Sequence, residues 1–124
     1  MTIYFNGKPT MRTIIAGGRE CTDMAVLSAA LNKCGWIPTV ILSGGARGAD
    51  RLGERFAYGT ATPLEIYTAQ WETHGRGAGY RRNELMASKA EALIALWDGM
   101  SRGTKHMITI AKAAGLRVHI EGYQ

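Results

Sequence analysis

The most constraining feature of this sequence is an alternation of short apolar runs with longer amphipathic segments. The runs RTIIAGG, TVILS and EALIALW are each followed by a stretch of about 10 to 14 residues with apolar side chains at helical spacing. This alternation predicts βαβ units, because parallel strands need a crossover helix between them. Right-handed crossovers then predict an α/β fold: a doubly wound, Rossmann-like sheet of about five mainly parallel strands with helices on both faces.

The predicted elements can be read in chain order. Strands are expected at RTIIAGG, TVILS, TPLEIYTA, EALIALW and LRVHI, and helices at CTDMAVLSAALNKCG, ARGADRLGERFAYG, RRNELMASKA and TKHMITIAKAAG. Thr22 or Asp23 is expected to cap the first helix. Residues 1–10 predict an N-terminal extension or an edge strand around residues 3–5. The polar, glycine-rich segment 70–80 predicts a loop that could act as a mobile lid.

Length and composition predict one compact domain over residues 1–124. The chain is 46% hydrophobic and 20% charged, which is typical of a globular protein. It has no apolar run of membrane-spanning length, and its first residues lack the layout of a secretion signal. We therefore expect a cytoplasmic protein without a membrane partner. Cys21 and Cys34 lack metal-ligand spacing and are expected to be reduced thiols.

The basic residues cluster beside glycine. Net charge is +5, and eight of the fifteen basic residues lie in or next to glycine-rich segments: Arg19, Arg47, Arg51, Arg76, Arg81, Arg82, Arg102 and Lys105. Arginine in such places favours a pocket for phosphate or carboxylate, since its forked donors match those groups. A nonspecific nucleic-acid binder would more often use a lysine-rich face or tail. A solvated basic surface is the alternative.

Three glycine-rich segments follow predicted strands: AGGRE, SGGARGAD and WDGMSRGT. Because the carboxyl ends of parallel strands meet at one edge of a sheet, these segments are expected to converge there, where open α/β sheets bind ligands. In SGGARGAD the next helix is expected to begin near Arg47 or Gly48, with amides and a positive dipole end that favour an anion. A tight turn without a ligand is the alternative.

Polar side chains in these segments are candidates for ligand contacts. Asp50 could complement the helix dipole or reach a ligand hydroxyl, and Asp98 could accept from a ribose hydroxyl, hold a metal or form a turn with Gly99. Arg82 and Asn83 are expected near the start of another helix, at the same edge. The predicted ligand-binding set is Gly17, Gly18, Arg19, Ser43, Gly44, Gly45, Ala46, Gly48, Asp50, Arg82, Asn83, Asp98, Ser101, Arg102, Gly103 and Thr104.

Four segments carry a family resemblance: AGGRECTD, SGGARGADRLGE, YTAQWETHGRGAGYRRNELM and ALIALWDGMSRGT. In this order they resemble the SLOG superfamily of Rossmann-like proteins, and within it the small branch related to YspA and YpsA. The resemblance spans Ile14 to about Gly115. It implies a pocket for a nucleotide or nucleotide derivative at the glycine loops, a bacterial or phage-infected cell as the setting, and commonly a homodimer or larger homo-oligomer.

The resemblance leaves enzymatic activity open. The superfamily includes LOG-type phosphoribohydrolases, which carry an arginine before the fourth strand and a glutamate in a PGGxGTxxE motif. Arg81 or Arg82 matches that arginine, but Lys105, His106 and Met107 follow the Gly-Thr pair here, with no carboxylate at the matching position. Arg82, Asp98 and Glu84 are the residues that could take part in catalysis.

Three functions are therefore weighed. The first is binding of a nucleotide-derived small molecule to sequester or sense it, with sequestration ahead because it needs no effector domain. The second is hydrolysis, of the phosphoribohydrolase or another nucleotide hydrolase type. The third is DprA-like binding of single-stranded DNA, which is disfavoured because the aromatic residues form no evident stacking platform. No cofactor is expected to be required, while the sequence leaves open a divalent metal, the base and the number of phosphates.

Overall fold

The computed structural model describes residues 2–124, apart from the side chain of Arg76, which the sequence places among the arginines beside glycine. Six strands are present: β1 (Tyr4–Phe5), β2 (Lys8–Gly17), β3 (Ile37–Ser43), β4 (Leu64–Ile66), β5 (Ala92–Trp97) and β6 (Arg117–Gly122). Five α-helices accompany them: α1 (Met24–Lys33), α2 (Ala49–Gly59), α3 (Trp71–His74), α4 (Ala78–Lys89) and α5 (Arg102–Ala113).

The sheet has the order β4-β3-β2-β5-β6, and each of these neighbours pairs in parallel. The short strand β1 pairs antiparallel with β2, matching Tyr4 to Pro9 and Phe5 to Lys8. From β2 the chain first builds the sheet outward through β3 and β4, and then returns to build β5 and β6 on the other side. The strand order thus reverses between β2 and β5, which is where such sheets form a ligand crevice.

Helices cover both faces of the sheet, as predicted. Alternation along β2 places Ile15 in one core and Ile14 in the other, because successive side chains of a strand point to opposite faces. The first core contains Leu27 of α1 and Leu52 of α2; the second contains Met86 of α4, with Met107 and Ile108 of α5. The predicted α/β fold is confirmed.

The helix ends follow local sequence signals. Asp23 caps α1, since its Oδ1 accepts from the backbone N–H of Ala25 at 2.9 Å. Ser101 caps α5 by accepting from the backbone N–H of Thr104 at 3.4 Å. Of the two caps considered for α1, the structure selects Asp23. Among the described residues, no helix combines the length and the apolar character needed to cross a membrane.

The prediction of a loop over residues 70–80 is wrong. This segment forms α3, a 3-10 turn over Gly75–Gly77 and the first turn of α4, which begins at Ala78. Gly75 ends α3 with a φ of +56°, a left-handed conformation that glycine adopts without strain. Ala78 and Met86, both buried, attach α4 to the rest of the domain. Packing of α4 therefore overrides the weak helix propensity of its glycine-rich start.

Candidate functional site

A cavity of about 570 Å³, here called the main compartment, opens at the carboxyl edge of the sheet. Its lining comes from the end of β2, from the turns after β2, β3 and β5, from helices α2 to α5, and from Tyr123 after β6. A second cavity of about 380 Å³, the outer compartment, lies beside it. The two share four lining residues: Arg19, Ala46, Trp71 and Arg82. The three glycine-rich turns therefore meet at one site.

Most of the predicted ligand-binding residues border these cavities. The main compartment is lined by Gly17, Gly18, Arg19, Ala46, Asp50, Arg82, Asn83, Asp98, Ser101, Gly103 and Thr104. Gly44 and Gly45 line the outer compartment. Four candidates fall outside both linings: Ser43 and Gly48 are buried, while Arg102 and Glu84 are exposed on helices.

Other lining residues are absent from the predicted set. Trp71 and Tyr80, which are 53% and 45% exposed, come from the segment predicted to be a loop. Tyr123 follows β6 directly, so the strand-end rule that indicated Asp98 would also have indicated it. Met86 and Met107 are buried core residues whose helical spacing gives no sign of a second role.

The glycines of the turns allow the turns to pack on one another. A Cβ at Gly48 would collide with the carbonyl oxygen of Gly18, and Gly48 also has a φ of +78°. The same Gly18 oxygen accepts from the backbone N–H of Ala49 at 3.1 Å. A Cβ at Gly18 would collide with the hydroxyl of Tyr123. At these two positions the space beside Cα is taken by the protein itself.

Asp50 brings a buried carboxylate into the main compartment. It is 7% exposed, and its Oδ2 accepts from the backbone N–H of Ala46 at 3.0 Å. Burial raises the pKa of Asp50 to about 6, although the Ala46 bond and the charge of Arg82 oppose the rise. The backbone N–H of Ala46, which the sequence analysis expected to be available to a ligand anion, is thus already hydrogen-bonded to Asp50.

Ser43 and Glu54 stabilise the turn between β3 and α2 through hydrogen bonds. The hydroxyl of Ser43 accepts from the backbone N–H of Gly45 at 3.1 Å and donates to Oε2 of Glu54 at 2.7 Å. Oε1 of Glu54 in turn accepts from Nη1 of Arg51 at 2.8 Å. Ser43 therefore shapes the turn instead of facing the cavity, and the Gly45 amide is also used within the protein.

Arg82 connects α4 to the turn after β3. Its Nη1 donates to the carbonyl oxygen of Gly44 at 2.6 Å, and its Nε donates to Oδ1 of Asn83 at 3.0 Å. Burial lowers the pKa of Arg82, partly offset by Asp50, and the nearby charge of Arg19 lowers it further. The guanidinium stays protonated at neutral pH, because its ordinary pKa is so high. Arg82 is thus a fixed positive charge shared by both compartments.

Asp98 organises the turn after β5. Its Oδ1 accepts from the backbone N–H groups of Met100 and Ser101 at 2.8 and 2.9 Å. These bonds hold the pKa of this exposed carboxyl below its usual value. Gly99 completes the turn with a φ of +86°. Asp98 therefore has the turn role considered from the sequence and also borders the main compartment.

Tyr80 lines another side of the main compartment and stacks on His106. The rings of Tyr80 and His106 stack with centroids 4.0 Å apart. Nδ2 of the buried Asn83 lies 3.3 Å from Nδ1 of His106. Tyr80 and Asn83 thus present an aromatic ring and an amide to the same cavity. Within residues 2–124 as described, no group of three His, Cys, Asp or Glu side chains is placed to hold a metal ion.

Comparisons with known proteins give two matches. A family model described as "YspA, cpYpsA-related SLOG family" matches residues 11–74, which include the turns after β2 and β3. The "Gene 61 protein" of Mycobacterium phage D29 is 37% identical over 117 residues, covering 86% of this chain and 93% of the phage protein. No solved structure gives a significant match.

Proposed function

The chain belongs to the YspA- and cpYpsA-related SLOG family, and from this premise we propose that it binds a nucleotide or nucleotide-derived small molecule, which it sequesters or senses. The single observation that carries the proposal is the main compartment of about 570 Å³, where three βα turns meet at the switch in strand order. A cavity of this volume is within the usual range for small-molecule sites.

The polar lining suits a phosphorylated sugar. Arg19 and Arg82 supply positive charge for phosphate, and the forked guanidinium can bind it through two parallel hydrogen bonds. The carboxylates of Asp50 and Asp98 have acceptor capacity for ribose hydroxyls. Positive and hydroxyl-accepting groups in one cavity are the combination that a nucleotide needs.

The less polar lining suits a base. Trp71 and Tyr80 present aromatic rings, and Met86 and Met107 add sulfur-containing apolar surface. Aromatic rings bind bases by stacking, and each stacked base contributes roughly 1–3 kcal/mol. These side chains therefore support a ligand with a planar ring over a simple phosphate.

Mass spectrometry of the ligand that co-purifies with the protein tests the proposal most directly. The protein is purified from its natural or a bacterial host without nucleotide, denatured by heat, and the released small molecules are analysed. We expect a nucleotide-class compound released intact and in stoichiometric amount. Absence of such a compound, together with no change in Tm on adding a panel of nucleotides, would contradict the proposal.

Hydrolysis is a second candidate, favoured by the environment of Asp50. Its carboxyl, with a pKa raised to about 6, lies in the cavity near the charge of Arg82 and could transfer a proton near neutral pH. Incubation with nucleoside monophosphates and ADP-ribose-type nucleotides, followed by chromatography, separates the two functions. Free base or ribose phosphate, formed by the protein but not by Asp50→Asn, would support hydrolysis; intact nucleotide supports binding.

A homodimer or larger homo-oligomer in the cytoplasm of a bacterial or phage-infected cell is part of the same proposal. The phage relative supports that setting. Three consecutive large apolar side chains near the N-terminus, Ile3, Tyr4 and Phe5, are 68%, 65% and 61% exposed, which supports a covered surface there. Sedimentation velocity at several concentrations measures the assembly, and a monomer at every concentration would contradict it.

A further inference from the structure

The two compartments differ in the balance of positive and negative side chains that line them. Glu20, Asp50 and Asp98 place three carboxylates around the main compartment, alongside Arg19 and Arg82. The outer compartment has Arg47 in addition to those two arginines. Its lining, drawn from the described residues, contains no carboxylate. A multiply charged anion is therefore favoured in the outer compartment and opposed in the main one.

The uncharged lining residues of the two compartments differ in size. Apart from Trp71, which both compartments share, the neutral residues of the outer compartment are small: Gly44, Gly45, Ala46, Thr68 and Ala69. Thr68 provides one hydroxyl, and these small residues offer little surface for stacking a base. The larger apolar and aromatic side chains, Tyr80, Met86, Met107 and Tyr123, all belong to the main compartment. A planar group therefore has most of its partners in the main compartment, with Trp71 at the boundary between the two.

Arg82 lines both compartments. It donates to Gly44, which lines the outer compartment, and to Asn83, which lines the main one. The acceptors that it uses within the protein, the Gly44 carbonyl and the Asn83 amide oxygen, are both neutral. The charge of Arg19 is close enough to lower the pKa of Arg82. An anion between the two guanidinium groups would relieve this repulsion and gain charge-assisted hydrogen bonds.

We infer that the ligand spans both compartments, with its nucleoside in the main compartment and a diphosphate directed past Arg82 and Arg19 to Arg47 in the outer one. The inference rests on the proposed function and narrows it to nucleotides that carry two linked phosphates, of the nucleoside 5′-diphosphate class. A monophosphate would reach the shared arginines, whereas only a second phosphate would reach Arg47. Arg47 is therefore the residue that distinguishes the two ligand classes.

Calorimetric titration with matched ligands tests the inference. For each of the four common bases, the nucleoside, its 5′-monophosphate and its 5′-diphosphate are titrated into the protein, and inorganic pyrophosphate is titrated separately. We expect the diphosphate of the preferred base to bind about tenfold or more tightly than the monophosphate, as one additional charged contact allows. Equal affinities for the two would overturn the inference and leave the proposed function standing.

Arg47→Ala supplies the residue-level test. Since Arg47 is exposed and its ion pair with Glu20 at 3.6 Å is also exposed, the substitution should leave Tm unchanged. It should weaken the diphosphate by about three- to tenfold and change the monophosphate by less than twofold. Arg55→Ala, an exposed arginine of α2 outside both linings, is the control and should change neither. Equal weakening of both ligands, or of neither, by Arg47→Ala would overturn the inference.

The remaining outcomes separate the inference from the proposed function. Binding of pyrophosphate that depends on Arg47, without binding of any nucleoside or nucleotide, would support the phosphate role of the outer compartment and overturn the proposed function. Failure of nucleosides, nucleotides and pyrophosphate alike to bind would overturn both.

Discussion

Asp50, in the first turn of α2, and Asp98, in the turn after β5, both accept backbone hydrogen bonds, yet the pKa values of the two carboxyl groups are shifted in opposite directions. Asp50 is buried, and burial raises its pKa to about 6. Asp98 is exposed, and its bonds to Met100 and Ser101 hold its pKa below the usual value. The comparison teaches that burial decides the direction of the pKa shift at Asp50, where it outweighs the Ala46 bond, whereas local hydrogen bonds decide it at the exposed Asp98.

Two glycines near these aspartates, Gly48 and Gly103, also differ in how closely the protein packs around them. A Cβ at Gly48, before α2, would collide with backbone atoms of Gly18 and Arg19, whereas a Cβ at Gly103, in the first turn of α5, would find no atom of the described residues within 4 Å. The turn after β3 is therefore packed into the domain, and Gly103 borders open space.

The largest expected effect is that of Gly48→Ala. The substitution places a methyl group against backbone that cannot move cheaply and requires a non-glycine residue at a φ of +78°. We expect the free energy of unfolding to fall by about 3 kcal/mol or more, measured by urea denaturation. A loss below about 1 kcal/mol would show that the two turns do not pack as described.

Asp50→Asn should produce the next largest effect on stability, and the size of that effect depends on pH. Between the unfolded pKa of about 3.9 and the folded value of about 6, the native state binds more protons at Asp50 than the unfolded state does, so stability falls as pH rises through this window. The variant should therefore be more stable than the wild type by about 2–3 kcal/mol at pH 7, and no more stable near pH 4. Urea denaturation at both pH values measures the difference.

The same pair of denaturation series on Asp98→Asn provides the contrast. The folded pKa of Asp98 is lowered, so its contribution to stability is present at neutral pH and is lost as pH falls through that folded value. The variant should be no more stable than the wild type at pH 7. A stability gain equal to that of Asp50→Asn would remove the distinction between the two turns.

Arg82→Ala tests the charge shared by the compartments. We expect the affinity for a nucleotide to fall by roughly 10- to 100-fold, which corresponds to about 1.5–3 kcal/mol for a charged hydrogen bond, while the domain stays folded. Arg81→Ala is the matched control, because Arg81 is exposed on the same helix and lines neither compartment. Equal affinity of the Arg82→Ala and Arg81→Ala variants for the nucleotide would show that the ligand does not bind beside Arg82.

The smallest expected effect is that of Gly103→Ala. Alanine favours a helix by up to about 1 kcal/mol over glycine, and among the described residues the new methyl group meets no atom within 4 Å. Stability should stay equal or rise slightly, and this contrasts with Gly48→Ala. Marked destabilisation, measured by thermal unfolding, would contradict the open environment of Gly103.

The family resemblance and the strand ends together indicated many of the residues that line the two compartments. They placed Gly18, Asp98 and Arg82 at one edge, and all three line the main compartment. They did not indicate Tyr80 or Trp71, because the segment that carries them has a loop-like composition and becomes helical through the burial of Ala78 and Met86. They also assigned Ser43 to the ligand, whereas its hydroxyl binds Glu54 and the Gly45 amide.

Local pattern was enough to predict the five parallel strands and most helices, because hydrophobic periodicity and capping act over a few neighbouring residues. The order of the strands in the sheet was decided by the tertiary structure. The pKa of Asp50, the position of Tyr123 over Gly18 and the division of charge between the compartments were decided only when β2, β3, β5 and α4 came together. Burial and electrostatic fields depend on distances between residues far apart in the chain, which no local pattern records.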